Sequence, residues 1–295
     1  MLTHLNSQNE KPGRCVVIGA GGFIGGAIAD KLAGFGVPVL RLGRAEIDLL
    51  APDAAERLAG LLQKGDSVVA AAAIAPCKNA GQMRDNMRLV AALIDALKQA
   101  EPAHVVNIGS DAVFIDSPDP LREDSIKAPD SQHGAMHLAR EIAFRAEIAA
   151  PLAILRPTLV YGGGDPHNGY GPNQFRRKAN RGEPIALFGQ GEERRDHVFI
   201  DDVAEIAARV VLRKSTGDLN LVTGKLASFH AIAEMAFAIA GRQEEIAYLP
   251  RRGPMPHNGY RPFDNGATAA AFPDFSYTAL EAGMRLAQSR EFPNG

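Results

Sequence analysis

Gly19, Gly22 and Gly25 come directly after the apolar run Cys15-Val16-Val17-Ile18 and directly before Gly26-Ala27-Ile28-Ala29-Asp30-Lys31-Leu32, which has helical character. Strand, tight turn and helix start in that order leave the chain little choice of local fold. The turn brings backbone N–H groups to a helix N-terminus, where an anion is favoured and side chains would block its approach. A pyrophosphate is such an anion, so the segment is expected to hold a dinucleotide, with Gly19, Gly22, Phe23, Ile24 and Gly25 around it.

Residues 37–42, 67–73 and 104–108 read as strands, and residues 54–62 and 83–100 have helical spacing. This alternation predicts an α/β chain: a parallel sheet with helices on both faces, continued by a strand at 152–157. Ala71, at the end of the 67–73 run, is expected beside the cofactor. At residue 162 the character changes to glycine, proline and polar residues, which marks a boundary. Residues 1–13 are expected to be a flexible tail and 14–162 the dinucleotide-binding domain, with a return segment at about 196–215. The remainder, 163–195 and 216–295, is assigned to a second lobe that includes a helix over 228–240. The stripe Met83, Met87, Val90, Ala91, Ile94 and Leu97 is read as core packing, with a helix-to-helix dimer contact as the alternative.

Composition narrows the function classes. A formal net charge of -2 over 295 residues gives no general attraction for nucleic acid or anionic lipid, so phosphate recognition has to come from local groups. No apolar run reaches bilayer length, and no continuous apolar segment marks a signal peptide at the start. The two cysteines, at 15 and 77, form no disulfide framework and are read as reduced, in a cytoplasmic protein.

Four segments together carry a resemblance: GAGGFIG at 19–25, GSDAVF at 109–114, LRPTLVYG at 155–162 and FGQGEERRDHVFIDDVA at 188–204. With them the chain resembles the extended short-chain dehydrogenase/reductases, the sugar-nucleotide epimerase, dehydratase and reductase group, over almost its whole length. The resemblance implies a doubly wound Rossmann sheet for the cofactor and a smaller C-terminal lobe for a small-molecule substrate, a nucleotide sugar, and it implies a homodimer. Where an acidic residue closing the second strand would bind a ribose 2′-hydroxyl, this chain offers Arg41 and Arg44. In reductases of the group, an Arg matching Arg44 lies beside a 2′-phosphate and a group matching Asp48 lies near the adenine. NADP is therefore the expected cofactor, with NAD as the alternative.

The same resemblance implies that Ser110 hydrogen-bonds the reacting sugar oxygen and that Asp111 lies beside it. Ala112 stands where dehydratases carry Glu, which disfavours water elimination. The family's YxxxK aligns with His133 and His137. Imidazole titrates near neutrality, so His133 is expected to exchange the proton and His137 to contact the nicotinamide ribose. Two other readings stay open: a dinucleotide-binding regulator or scaffold that has lost its chemistry, and an i,i+4 imidazole pair on a metal, for which no further ligand is evident. Asn173, Phe188 and Arg195 are implied at the substrate amide, base and diphosphate positions, with Arg194 competing for the last. Tyr161 flanks the pocket, and Arg252 and Arg261 are expected to close over the substrate.

Overall fold

The computed structural model describes residues 1–243 and 245–293. Four strands at its centre, β2 (Cys15–Ile18), β4 (Ser67–Ala70), β5 (His104–Ile108) and β6 (Leu152–Pro157), are buried almost throughout. They read as nearly unbroken apolar runs because both faces of a parallel sheet are covered. With β1 (Leu2–His4), β3 (Val39–Leu42) and β10 (Ser215–Leu221) they form one seven-stranded sheet in the order β1-β10-β6-β5-β4-β2-β3. All neighbours are parallel except β1, which runs antiparallel along β10. The doubly wound α/β reading is correct. After β2 the chain passes to β3 on one side and then back to β4 on the other, so a crevice opens at the C-terminal ends of β2 and β4.

Alternate residues of each strand feed two cores. Val17, Val69, Val106 and Leu155 face α1 (Phe23–Gly34) and α6 (Ile200–Leu212), where Ile28, Leu32, Ile206 and Val210 are buried. Val16, Ile18, Val68 and Val105 face α2 (Ala54–Leu61), α3 (Ala80–Ala100) and α4 (Gln132–Glu147), packed against Leu58, Leu93 and Phe144. Helix α3 begins three residues before the expected start because the Asn79 side chain accepts the Gln82 N–H at 2.9 Å. Val90, Ile94 and Leu97 of its apolar stripe are buried in this core and Met87 packs against it, whereas Ala91 is exposed. Deeper in the sheet, the buried Arg156 gives Glu141 two hydrogen bonds of 2.7 Å and Asp218 one of 2.7 Å, which ties β6 to α4 and β10.

The smaller lobe contains a three-stranded sheet of β7 (Leu159–Tyr161), β9 (Arg194–Phe199) and β11 (Leu226–Ser228), and a parallel pair of β8 (Ile185–Phe188) and β12 (Ile246–Leu249). Helices α5 (Pro172–Arg181), α7 (Phe229–Ala240) and α9 (Leu280–Glu291) enclose Phe175, Phe199, Phe229, Phe237 and Met284. Helix α8 (Gly266–Ala271) returns to the large sheet beside β10.

Two expected boundaries are corrected. The segment expected as a flexible tail supplies the edge strand β1, and the His4 ring bonds Ser215 Oγ at 2.7 Å and the Ala271 carbonyl at 2.9 Å. Its polar composition conceals this, because a three-residue edge strand is held through its backbone. The return segment is also displaced: residues 196–199 lie in β9 of the small-lobe sheet, and β10 runs on to Leu221 inside the seven-stranded sheet.

Among the described residues three histidines are buried without full hydrogen bonding: His104 and His137 each have Nδ1 unpartnered, and neither ring nitrogen of His197 has a partner. Burial pushes His104 down to about 4 and His197 down to about 3. Both stay neutral in the fold and protonate only in the unfolded chain, so their contribution is complete above pH 6.5 and drains away on acidification toward 4. Asp196, pushed up to about 6 by its burial, acts in the opposite sense between 3.8 and 6. His197→Phe, which keeps an aromatic ring against Phe229, is expected to gain about 2 kcal/mol over wild type at pH 5 relative to its effect at pH 7.5. Urea unfolding at the two pH values measures this, and an equal shift at both would contradict it.

Candidate functional site

The turn after β2 is held by close backbone contacts. Gly19 has φ +94°, and a Cβ built there would lie 2.6 Å from the Ala72 N and 2.8 Å from its Cα. A Cβ on Gly25 would run into the Gly19 carbonyl. Gly19 and Gly25 therefore let β2, the turn and α1 nest against the end of β4. Gly22 is the N-cap of α1, with no side-chain cap and no acidic residue in the first turn. The first N–H groups of α1, including those of Phe23 and Ile24, are thus left to an external acceptor, and the helix dipole favours an anion there.

Beside this cradle lies a cavity of about 380 Å³ lined by Gly19, Gly22, Arg44, Asp48 and Ala71, among others. Arg44 is exposed and has no ion pair among the described residues, so its guanidinium is free at the rim. Arg41 does not join it. It projects from β3 toward α1 and bonds Asp30 at 2.5 Å, whereas Arg44 lies in the turn that follows the strand.

Ser110 follows β5 by two residues and caps a single 3-10 turn, Asp111–Val113, by accepting the Ala112 N–H at 3.2 Å. Helix α4 packs on that turn so closely that only glycine fits at 134, where a Cβ would strike the Ala112 carbonyl. This contact places the first turn of α4, with His133, beside the Ser110 loop. His133 and His137 stack edge to face with centroids 4.7 Å apart, and His133 Nδ1 accepts the Cys77 N–H at 3.4 Å. Burial lowers the pKa of both rings, and the His133 ring and the Arg140 charge push His137 further down. The pair is therefore neutral near pH 7 and does not reproduce a lysine cation. His137 is 5% exposed with Nδ1 unpartnered.

A cation is nevertheless present beneath the pair. Arg140 is fully buried and has no carboxylate partner among the described residues; it donates to the Ala72 carbonyl at 2.7 Å, the Ala70 carbonyl at 2.9 Å and Asn107 Oδ1 at 2.6 Å. Sequence spacing gives no sign of it, because only the folded structure brings α4 over the ends of β4 and β5. Among the described residues no group of three or more His, Cys, Asp or Glu is arranged to hold a metal ion.

The expected substrate residues divide. Arg195 lies inside, against Glu193 at 3.4 Å, while Arg194 is exposed. Phe188 is exposed at the end of β8 beside Tyr170. Asn173 has little left to offer: its amide accepts the Gly162 N–H at 3.0 Å and donates to Asp165 at 2.8 Å. Asp111 is likewise engaged, with Arg261 donating to its carboxylate at 3.4 Å and to its carbonyl at 2.9 Å. Arg252 points to solvent, and its neighbour Arg251 instead reaches the Phe188 carbonyl at 3.0 Å. Tyr161 is buried in the small-lobe core.

The NAD dependent epimerase/dehydratase family model matches residues 15–222. Over 159 residues the chain is 32% identical to a dTDP-4-dehydrorhamnose reductase of Mycolicibacterium smegmatis, which covers 52% of this chain and 47% of that one. Across three curated relatives the matches span between 34% and 57% of the relative's length. The fold superposes on a Thermus thermophilus UDP-glucose 4-epimerase in complex with NAD, with TM-score 0.80 and 21% identity over 96% of this chain and 99% of that one. A GDP-L-fucose synthetase from Naegleria fowleri bound to NADP gives TM-score 0.81 and 15% identity over 98% and 95%.

The two ends of the glycine turn should respond differently to a methyl group. Gly19→Ala is expected to cost about 2 kcal/mol or more in urea unfolding, whereas Gly22→Ala, whose Cβ meets only the Gly19 carbonyl at 3.3 Å, costs about 1 kcal/mol or less. Equal costs would mean that contact with Ala72 does not shape the turn.

Proposed function

This chain belongs to the NAD dependent epimerase/dehydratase family, and from that membership we propose that it is an NADP-using oxidoreductase or epimerase of a nucleotide-activated sugar. The observation that carries the reading is the juxtaposition of the glycine cradle, the Ser110 loop and the neutral His133–His137 pair at the C-terminal edge of one sheet. The glycine cradle would hold the diphosphate of NADP, which when bound would supply or accept a hydride at a substrate carbon. Ser110 polarises the sugar oxygen through its hydroxyl, His133 exchanges the proton, and His137 contacts the nicotinamide ribose. Arg195 holds the diphosphate and Phe188 packs on the base. The substrate lies between the sheet edge and the small lobe, and the buried, unbridged Cys15 and Cys77 accord with a cytoplasmic protein.

The choice of NADP rests on Arg44, a free guanidinium at the rim of the cavity that suits a 2′-phosphate. Arg44→Ala is expected to raise the Kd for NADPH about tenfold and to change that for NADH less than twofold. Calorimetry with both nucleotides reads this, and an equal loss for the two removes Arg44 from cofactor selection.

His133 is neutral near pH 7 because burial lowers its pKa below 6.5, with Asp111 opposing the shift. His133 Nδ1 accepts the Cys77 N–H at 3.4 Å, so to take a proton from an alcohol the ring must give up that bond, and in the reductive direction it must first be protonated. The reductive rate is therefore expected to fall as pH rises through the His133 pKa, below 6.5. His133→Ala is expected to slow turnover of dTDP-, GDP- or UDP-linked 4-ketosugars at least about 100-fold while leaving NADPH binding intact. Unchanged turnover would reject the role. One observation favours a second reading, a dinucleotide-binding regulator: buried, neutral His137 lacks the cation of the family's lysine. An inert wild type that gains activity on combining His133→Tyr with His137→Lys would support that reading.

A further inference from the structure

Arg140 is a buried cation that meets no anion among the described residues. Its bonds go to the Ala70 and Ala72 carbonyls and to Asn107 Oδ1, all neutral acceptors. Glu141, the next residue, gives both carboxylate oxygens to Arg156. Burial is the one influence on the Arg140 pKa, lowered to about 10, which agrees with a charge that no carboxylate offsets. A guanidinium removed from water is costly unless it is paired, and neutral acceptors replace its hydration only in part. Two further polar atoms beside it are left over. Nδ2 of Asn107, whose Oδ1 Arg140 holds, and Nδ1 of His137, one turn earlier on α4, are buried and have no partner among the described residues.

The segment that Arg140 holds is a wall of the cavity beside the glycine cradle, which Ala71, Ala72, Ala73 and Ile74 line. Arg140 fastens its beginning through the carbonyls of Ala70 and Ala72. Asn86 fastens its end, accepting the Ile74 N–H at 2.9 Å and donating to the Ile74 carbonyl at 3.0 Å. Ala72 is also the residue against which Gly19 lies without room for a Cβ, so a single residue connects the guanidinium to the glycine turn. We infer that Arg140 is a positioning residue for the cofactor: through the Ala70–Ala72 segment it sets the wall of the cradle, and its charge is completed by the diphosphate held there. The inference rests on the dinucleotide reading above and deepens it.

Direct contact is not required. At an effective dielectric constant of about 20, a unit anion about 12 Å from a guanidinium changes a binding equilibrium about tenfold. Salt screens a buried charge much less than a surface one. Two cations then act on different parts of one ligand. Arg44, at the cavity rim, meets a 2′-phosphate and so separates NADPH from NADH. Arg140, beneath the wall, answers to the diphosphate that both nucleotides carry, and it strengthens the two alike. Asn86 fastens the same segment without any charge, so bracing and charge can be told apart.

Calorimetry on the full chain with NADPH and with NADH tests this. Arg140→Gln keeps an amide donor for the carbonyls and loses the charge; it is expected to raise the Kd of both nucleotides at least about tenfold. Arg140→Lys keeps the charge and is expected to stay within about threefold of wild type. An equal loss in the two variants would reduce Arg140 to a mechanical brace, and a loss confined to NADPH would assign the charge to the 2′-phosphate. Either result, or unchanged affinity in Arg140→Gln, overturns the inference. Arginine-selective nitrogen NMR of the wild type depends on no variant's folding. Saturating NADPH is expected to shift the Arg140 Nε–H resonance, and a resonance that does not move overturns the inference as well. Wild type that binds neither nucleotide removes the dinucleotide reading and the inference with it, whereas wild type that binds both no more tightly than Arg140→Gln rejects the inference alone.

Discussion

The approach of backbone to backbone at the end of β2 sets the position of almost everything else. Gly19 lies against the Ala71–Ala72 segment with no room for a Cβ, and Gly25 lies against Gly19. Because both contacts are made by main chain, the turn, the start of α1 and the end of β4 are fixed relative to one another. Side-chain packing tolerates volume-conserving exchange, but this arrangement has no side chain to exchange. The α4 contact at Gly134 uses the same device on the other side of the crevice, bringing the His133 turn onto the Ser110 loop.

The electrostatics of the crevice follow from where the cation lies. The His137 ring on α4 is neutral. The positive charge lies one turn along the same helix, at Arg140, where burial lowers its pKa to about 10 and leaves it protonated. Its hydrogen bonds go to the Ala70 and Ala72 carbonyls and to Asn107, so it braces the strand ends that floor the cavity while setting a positive potential there. Three carbonyl-type oxygens compensate a buried guanidinium only in part, and an anionic cofactor nearby would add to that compensation.

What the sequence made legible was whatever is local. The strands at 104–108 and 152–157 and the glycine turn stand where periodicity and spacing put them, since both are decided by residues near one another in the chain. What stayed hidden depends on partners far away. Arg41 and Arg44 look alike in sequence, but Arg41 lies in β3 and meets Asp30, whereas Arg44 lies in the turn after the strand, at the rim. Asn173 and Asp111 carry the residue types a substrate contact needs, yet Gly162, Asp165 and Arg261 have claimed their hydrogen bonds. The bonds from Arg140 to Ala70 and Ala72 span 70 and 68 positions, and no spacing rule reaches that far.

The strand at Leu2–His4 bears on how copies of this molecule can meet. By running antiparallel along β10 it covers that strand's N–H and C=O groups and becomes the border itself, only three residues long. At the opposite margin β3 is four residues long. A second large sheet laid along either border would therefore meet only a few backbone groups.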